Sequence, residues 1–419
     1  MHLRTDSGQR IAGSVERPQF VLWAVTVLIT LFVGYVMLVA ADYILARKQS
    51  AAQEQLVSEP AAIELQRQRE EDEPQRRAAR EQGYKALIFP DVIERYVQLM
   101  DLADQLKVAP LAPHPNSRLY YCNEGYGLVT YVSDRFGFRN PDKSWDGSIK
   151  YVLIGDSFTQ GACVSDEKTI AGIMRKSAAV LNLGVGGDNP IHYAATAKLF
   201  VPKVKPEFAV MVFYANDNDA GNRDSIYYRY YLRDSSVSYF QDDRSGSLAL
   251  ADGIQEFYAR SEPLVREMTS ENGAGDPDLT FFRRGNVFVR AAHYLSLPTI
   301  RATFGFVGSG MMSEASALPF SSTLAIETLI AACKRAGCQP VVTYIPNSEF
   351  WRPDPRSDSY ATLLAEYSKK SKVMFFDNTP SIRAMGETAY AVKGAHLSPQ
   401  GYETVAKNLL DLTSQRRAR

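Results

Sequence analysis

The sequence predicts an α/β fold: a parallel sheet flanked by helices, carrying a large insertion and preceded by a single N-terminal transmembrane helix. Three observations lead there. From residue 149 onward, short apolar runs alternate with helical stretches, the pattern of units that build a parallel sheet covered on both faces. The alternation breaks off between about 218 and 318, in a stretch rich in Tyr, Phe, Arg and Gly. Near the start, 20–41 reads "FVLWAVTVLITLFVGYVMLVAA" without a charge, long enough to cross the hydrocarbon of a bilayer as a helix.

That span carries Trp23 near one end and Tyr43 near the other, where interfacial aromatics belong. It exceeds the ordinary apolar core of a cleavable signal peptide, although Val39-Ala40-Ala41 resembles a weak cleavage site. Arg4, Arg10 and Arg17 precede it, and Arg47 and Lys48 follow. The balance places residues 1–19 as a cytoplasmic tail. The rest of the chain is then extracytoplasmic, in a periplasm-like space, anchored by one pass through the inner or cytoplasmic membrane. Residues 42–82 form a charged stalk or linker. Its part "QRQREEDEPQRRAAREQ" (66–82) has no apolar stripe and reads as a solvated helix interrupted at Pro74, or as a disordered linker. Either reading keeps it outside the core.

Residues 83–148 are a lead-in. There "RLYYCNEGYGLVTYVSD" reads as a β-hairpin turning at Asn123-Glu124-Gly125. The main domain, 149–415, then runs strand 150–154, helix 166–178, strand 179–183, a helix from about 190, and strand 207–213. After the insertion come helix 321–336, the strand "PVVTYIP", a helix near 357–371, strand 373–376 and a final helix from 400.

Lys and Arg together number 47, as do Asp and Glu, so there is no basic excess to suggest a nucleic-acid partner. The four cysteines, Cys122, Cys163, Cys333 and Cys338, contain no C-x-x-C pair, so zinc or thioredoxin chemistry is not indicated. Cys333 and Cys338 flank Gly337 at a helix end and can pair if the helix unwinds there; free buried thiols are the alternative. No metal or organic cofactor is implied.

The chemistry gathers at strand ends. The first strand runs into Gly155-Asp156-Ser157, the second into "NLGVGGDN" (182–189), the third into "YANDN" (214–218), and "KGAHLSPQGY" (393–402) precedes the last helix. In a parallel sheet these carboxyl ends share one edge, where ligands bind. A serine hydroxyl needs a base to take its proton, and a histidine titrating near neutrality is suited to the task. That makes Ser157 the candidate nucleophile and His396 the candidate base. The oxyanion of an acyl-transfer intermediate needs donors aimed at it. The backbone N–H groups of Ser157 and Gly187 and the side-chain amide of Asn216 are the candidates. "GVGGDN" lacks the third glycine of a dinucleotide fingerprint, and "GDSFTQG" is neither a P-loop nor a G-x-S-x-G elbow.

The ordered set resembles the SGNH (GDSL-type) hydrolase family over roughly 149–217 and 321–412. "GDSF" matches the nucleophile block. "NLGVGG" matches the second block and points to Gly187, with Gly184 and Gly186 less favoured. "YAND" keeps the asparagine of the third block without its leading glycine. "KGAH" keeps the histidine of the last block but places Lys393 where the family has an acid. The resemblance implies a flavodoxin-like three-layer sandwich and ester hydrolysis. The missing acid leaves open what orients His396: Asp377, Glu387 or a backbone carbonyl.

The resemblance also implies acyl groups, acetyl foremost, on a cell-surface polysaccharide, with polysaccharide biosynthesis or export proteins as partners. Three functions follow from this reading: an esterase, a polysaccharide O-acyltransferase using the same site, or a non-catalytic binding protein on a decayed hydrolase fold. "DSIYYRYYLRD" (224–234) and "FFRRG" (281–285) suit stacking on sugars, or equally a packed face of one strand.

Overall fold

The computed structural model describes residues 21, 23, 25–41, 71–218, 225–242, 248–270, 317–349 and 356–417. The chain divides into two units, Met1–Glu59 with Gly285–Ser313, and Pro60–Arg284 with Glu314–Arg419. Of the first unit the described residues form one helix, continuous over 25–41, with exposed apolar side chains such as Phe32 and Met37. Among the described residues no helix is long and apolar enough to cross a membrane. The rest of the expected span, the tail before it and "FFRRG" lie outside the described residues.

The second unit is built on a five-stranded sheet. Its strands are β4 (Tyr151–Ile154), β5 (Val180–Asn182), β6 (Phe208–Tyr214), β9 (Gln339–Ile345) and β10 (Met374–Asp377), while β7 (Phe240–Asp242) and β8 (Leu248–Leu250) pair apart from it. They lie in the order β10-β9-β6-β4-β5, and every pair is parallel. Counted along the chain this is the 2-1-3-4-5 order of flavodoxin-like folds, whose switch point lies between the first and third strands, here β4 and β6. All residues of β4 and β6 are buried, as continuous apolar runs in a doubly covered sheet require. Strand order and right-handed crossovers put helix Ile170–Met174 on one face. The crossover helices Pro190–Val204, Phe320–Ala336 and Ser357–Lys370 then lie on the other. Helix Pro399–Arg417 packs against Ile170–Met174 on the first face. The sequence reading of alternating elements corresponds to these strands and helices to within a few residues, except that 166–178 splits into a 3₁₀ turn, Asp166–Lys168, and the short helix Ile170–Met174.

The lead-in folds onto this core. Strands β1 (Lys85–Ala86), β2 (Arg118–Tyr120) and β3 (Thr130–Val132) make a small sheet, with β2 and β3 antiparallel as the hairpin reading expects. Asp134 accepts hydrogen bonds from the N–H groups of Phe136 and Phe138, from Asn140 Nδ2 and from Trp145 Nε1. Asn140 in turn donates to Asn182 O and accepts from Asn182 N, at the end of β5. "DRFGFRN" is thus a buried buckle rather than a passive lead.

Two expectations need correction. The charged stretch stays outside the hydrophobic core, but over its described part it is not a free stalk. Residues 71–81 form a helix that runs through Pro74, and Asp72 and Ala79 are each 6% exposed. Its attachment is polar, so no apolar stripe announces it. The tyrosines of "DSIYYRYYLRD" lie on neither a strand nor a sugar-stacking surface. Tyr228–Arg233 is a π-helical turn, and Tyr227, Tyr230 and Tyr231 are buried. Tyr227 Oη donates to Pro110 O, and Tyr231 Oη to Ala109 O, at 2.9 and 2.8 Å. Tyr239 Oη donates to Phe136 O and Tyr258 Oη to Ala112 O. The phenol rings fill apolar space while their hydroxyls satisfy lead-in carbonyls. The described part of the insertion therefore packs into the lead-in.

Candidate active site

The nucleophile's turn follows from the residues that precede it. β4 is followed by Gly155, where a Cβ would stand 2.1 Å from Thr159 Oγ1 and 2.7 Å from Val212 O, so only glycine fits. Asp156 caps the four-residue helix Ser157–Gln160 by accepting from Phe158 N. Ser157 is then the first helical residue, at the carboxyl end of β4 and at the sheet's switch point. Gln160 is fully buried. Its Oε1 accepts from Gly186 N at 2.8 Å and its Nε2 donates to Tyr131 Oη, so it fastens the second block to the first. Arg139, 3% exposed, donates to Gly161 O and Val164 O and pairs with Asp166, holding the loop behind the nucleophile.

His396 Nε2 lies 2.9 Å from Ser157 Oγ. On the other side of the ring, Nδ1 lies 2.7 Å from Glu124 Oε1, and His396 N donates to Glu124 Oε2 at 3.1 Å. A carboxylate only accepts, so Nδ1 carries the proton and Nε2 is left to accept from Ser157 Oγ–H. The Phe158 ring flanks the imidazole at 5.0 Å and stacks on Tyr214.

Glu124 occupies the role left open by Lys393, and this corrects the sequence reading. Asp377 Oδ1 instead accepts from Thr379 N at the start of the following helix, and Glu387 is exposed in a 3₁₀ turn. Neither reaches His396, and neither does a backbone carbonyl take Nδ1. Glu124 approaches over Gly394, where a Cβ would stand 2.0 Å from the Glu124 carboxyl carbon. Lys393 N donates to Glu124 O, and its Nζ turns away to Glu71 at 3.2 Å.

The glycine turn after β5 discriminates among the three oxyanion candidates. Gly184 N donates to Asn182 Oδ1 and Gly186 N to Gln160 Oε1, so both are engaged. The N–H groups of Gly187 and Ser157 make no hydrogen bond among the described residues. Gly187 has φ +78°, and its missing Cβ leaves room for the Asp91 carboxylate at 2.6 Å from that position. Asn216 is exposed in the 3₁₀ turn Ala215–Asn218 at the end of β6. That turn is shaped by buried Asp217, which accepts from Tyr214 N and Tyr193 Oη.

Beneath the site, burial pushes the Asp156 carboxyl up to about 6, opposed by the Phe158 N–H and the charge of His396. Burial likewise raises Asp217 and Asp188 well above the ordinary carboxylate range, and neighbouring acids push the same way.

All four cysteines are paired. Cys122–Cys163 joins the loop that carries Glu124 to the segment behind Ser157, and Cys333–Cys338 closes the end of helix Phe320–Ala336. Cys163 Sγ sits 3.9 Å from His396 Nδ1. Glu124, Cys163 and His396 are the one group of possible metal-ligating atoms found close together among the described residues. With Cys163 in a disulfide and Glu124 on the imidazole, the donor set suits the triad and not a resident metal.

No family model matches the chain, and no curated protein matches it. Among solved structures, it is similar to a catalytic mutant of an acetylxylan esterase from Geobacillus stearothermophilus, at 13% identity and TM-score 0.33, over 64% of this chain and 94% of that one. It is similar to an alpha/beta hydrolase enzyme from the metagenome of Lake Arreo, at 13% identity and TM-score 0.35, over 64% and 96%. A third is a protein described as lipolytic and of the G-D-S-L family from Desulfitobacterium hafniense, at 12% identity and TM-score 0.30, over 63% and 99%.

Proposed function

We propose that this chain is a membrane-anchored serine esterase of the SGNH type, acting on short acyl esters of a cell-surface polysaccharide. The observation that carries the reading is the unbroken relay from Ser157 Oγ through His396 to Glu124, with contacts of 2.9 and 2.7 Å. Ser157 Oγ attacks the ester carbonyl carbon while its proton passes to His396 Nε2. The carbonyl oxygen takes the negative charge and is met by the N–H groups of Ser157 and Gly187 and the Asn216 amide. Collapse breaks the bond to the alcohol, which leaves with the proton from Nε2. Water then repeats the sequence on the acyl-serine and releases the acid.

A decayed, non-catalytic fold is disfavoured, because the acid lost from the last block has a spatial replacement. The pairing of all four cysteines supports an extracytoplasmic site, since disulfides persist in oxidising compartments, and the exposed apolar helix over 25–41 supports the anchor.

The test is the detergent-solubilised full chain with p-nitrophenyl acetate, butyrate and octanoate, and with an acetylated oligosaccharide. Free acetate, with turnover falling as the acyl chain lengthens, is expected. Octanoate turned over fastest would overturn the short-acyl reading. Acetyl appearing on an added saccharide in place of free acetate would make the enzyme a transferase.

A further inference from the structure

The helix over 71–81 reaches the triad through one turn. Asp72, 6% exposed, accepts through Oδ1 from Asn123 Nδ2 at 2.8 Å. Asn123 Oδ1 accepts from the N–H groups of both Gly125 and Gly127, each at 2.9 Å. Those bonds wrap the backbone around Asn123, with Gly125 at φ +102° and Gly127 at φ +90°. Glu124 lies inside that wrap. Further along the same helix, Gln75 Oε1 accepts from Leu128 N at 3.0 Å, closing the far side of the loop. On the opposite flank Glu71 pairs with Lys393, three residues before His396. The helix thus holds the loop of the acid and the loop of the base together through the side chains of Glu71, Asp72 and Gln75.

We propose that Asp72 is a positioning residue for the triad. Acting through Asn123 it keeps Glu124 on His396, so the site is complete only when the segment leading from the membrane is docked. This rests on the esterase reading above. A carboxylate held by two bonds to one histidine is sensitive to small shifts of its loop, and misplacement by about 1 Å of a group aligned for catalysis costs on the order of 10²-fold.

The experiment uses the full chain in detergent and three variants: Asp72→Ala, Asn123→Asp, and the exchanged pair D72N/N123D. Asn123→Asp keeps the oxygen that wraps the turn but replaces the donor facing Asp72 with a second carboxylate. The exchanged pair restores a donor and an acceptor in reversed order. Readouts are kcat and KM for p-nitrophenyl acetate, the melting temperature, and the far-downfield proton resonance of a histidine Nδ1–H held by a carboxylate. Asp72→Ala and Asn123→Asp should each lose kcat by roughly 10–100-fold with little change in KM. Both should lose the downfield resonance, and the exchanged pair should regain kcat and resonance together. Wild-type kcat and resonance in both single variants would overturn the proposal. So would an exchanged pair that folds as wild type yet stays slow, since the loss would then lie in the turn and not in the contact. A wild-type protein that turns over no ester would overturn the esterase reading itself.

Discussion

Glu124→Gln should lower kcat for p-nitrophenyl acetate by roughly 10³–10⁴-fold, with KM nearly unchanged and the melting temperature within a few degrees of wild type. The magnitude follows the serine-protease precedent, in which replacing the triad acid by its amide costs about 10⁴ in kcat. The reason here is geometric. Glu124 Oε1 takes the Nδ1 proton of His396 at 2.7 Å and so leaves Nε2 free to accept from Ser157. A glutamine can instead present its NH₂ group to Nδ1, which moves the ring proton to Nε2 and faces Ser157 Oγ–H with a donor. The imidazolium formed during attack also loses its anion. Asp377→Asn and Glu387→Gln, measured alongside, should leave kcat within a factor of two to three, since neither carboxylate meets the ring. A loss in either comparable to that of Glu124→Gln would refute the assignment of the acid.

Breaking the Cys122–Cys163 disulfide should cost both stability and activity. The bridge spans a sequence separation of 41, for which the chain-entropy model gives about 4 kcal/mol; Cys333–Cys338, with a separation of 5, gives about 2 kcal/mol. The contrast in activity should be larger than the contrast in stability. Cys122 lies two residues before Glu124, and Cys163 lies in the segment behind Ser157 and touches His396. C122S/C163S therefore frees the acid's loop from the nucleophile's segment, whereas C333S/C338S only loosens a helix end on the far side of the sheet edge. Denaturant midpoints and kcat for the two double variants decide this. Equal loss of kcat in both would show that the first bridge contributes stability alone.

The parts of this protein that were legible in the sequence share a physical cause. β4 and β6 are buried on both faces, so they had to be continuous apolar runs, and their polar ends marked the sheet edge. Ser157 stood at such an end and His396 just before the last helix, with chemistry that suits each other. Glu124 was hidden because it sits 272 residues before its partner, in a hairpin turn where a glutamate is ordinary. The one local trace was Gly394, which has no Cβ because the Glu124 carboxyl occupies its place. The helix over 71–81 escaped for a related reason: it is held by Glu71, Asp72 and Gln75, and a pattern of apolar residues cannot report polar docking. The tyrosines of 227–231 were ambiguous because a phenol serves a core and a sugar equally well. The hydroxyls of Tyr227 and Tyr231 are spent on lead-in carbonyls and that of Tyr230 on the Asp104 carboxylate, which only the tertiary arrangement reveals.

The most direct test of the account is the rate at which a fluorophosphonate adds to Ser157 in the full chain, read as an adduct mass on the peptide containing that residue. The probe needs an activated serine and no knowledge of the substrate. One adduct is expected on Ser157, absent in Ser157→Ala and His396→Ala and formed far more slowly in Glu124→Gln. Folded wild-type protein that gains no adduct, or an adduct formed equally fast without His396, would contradict it.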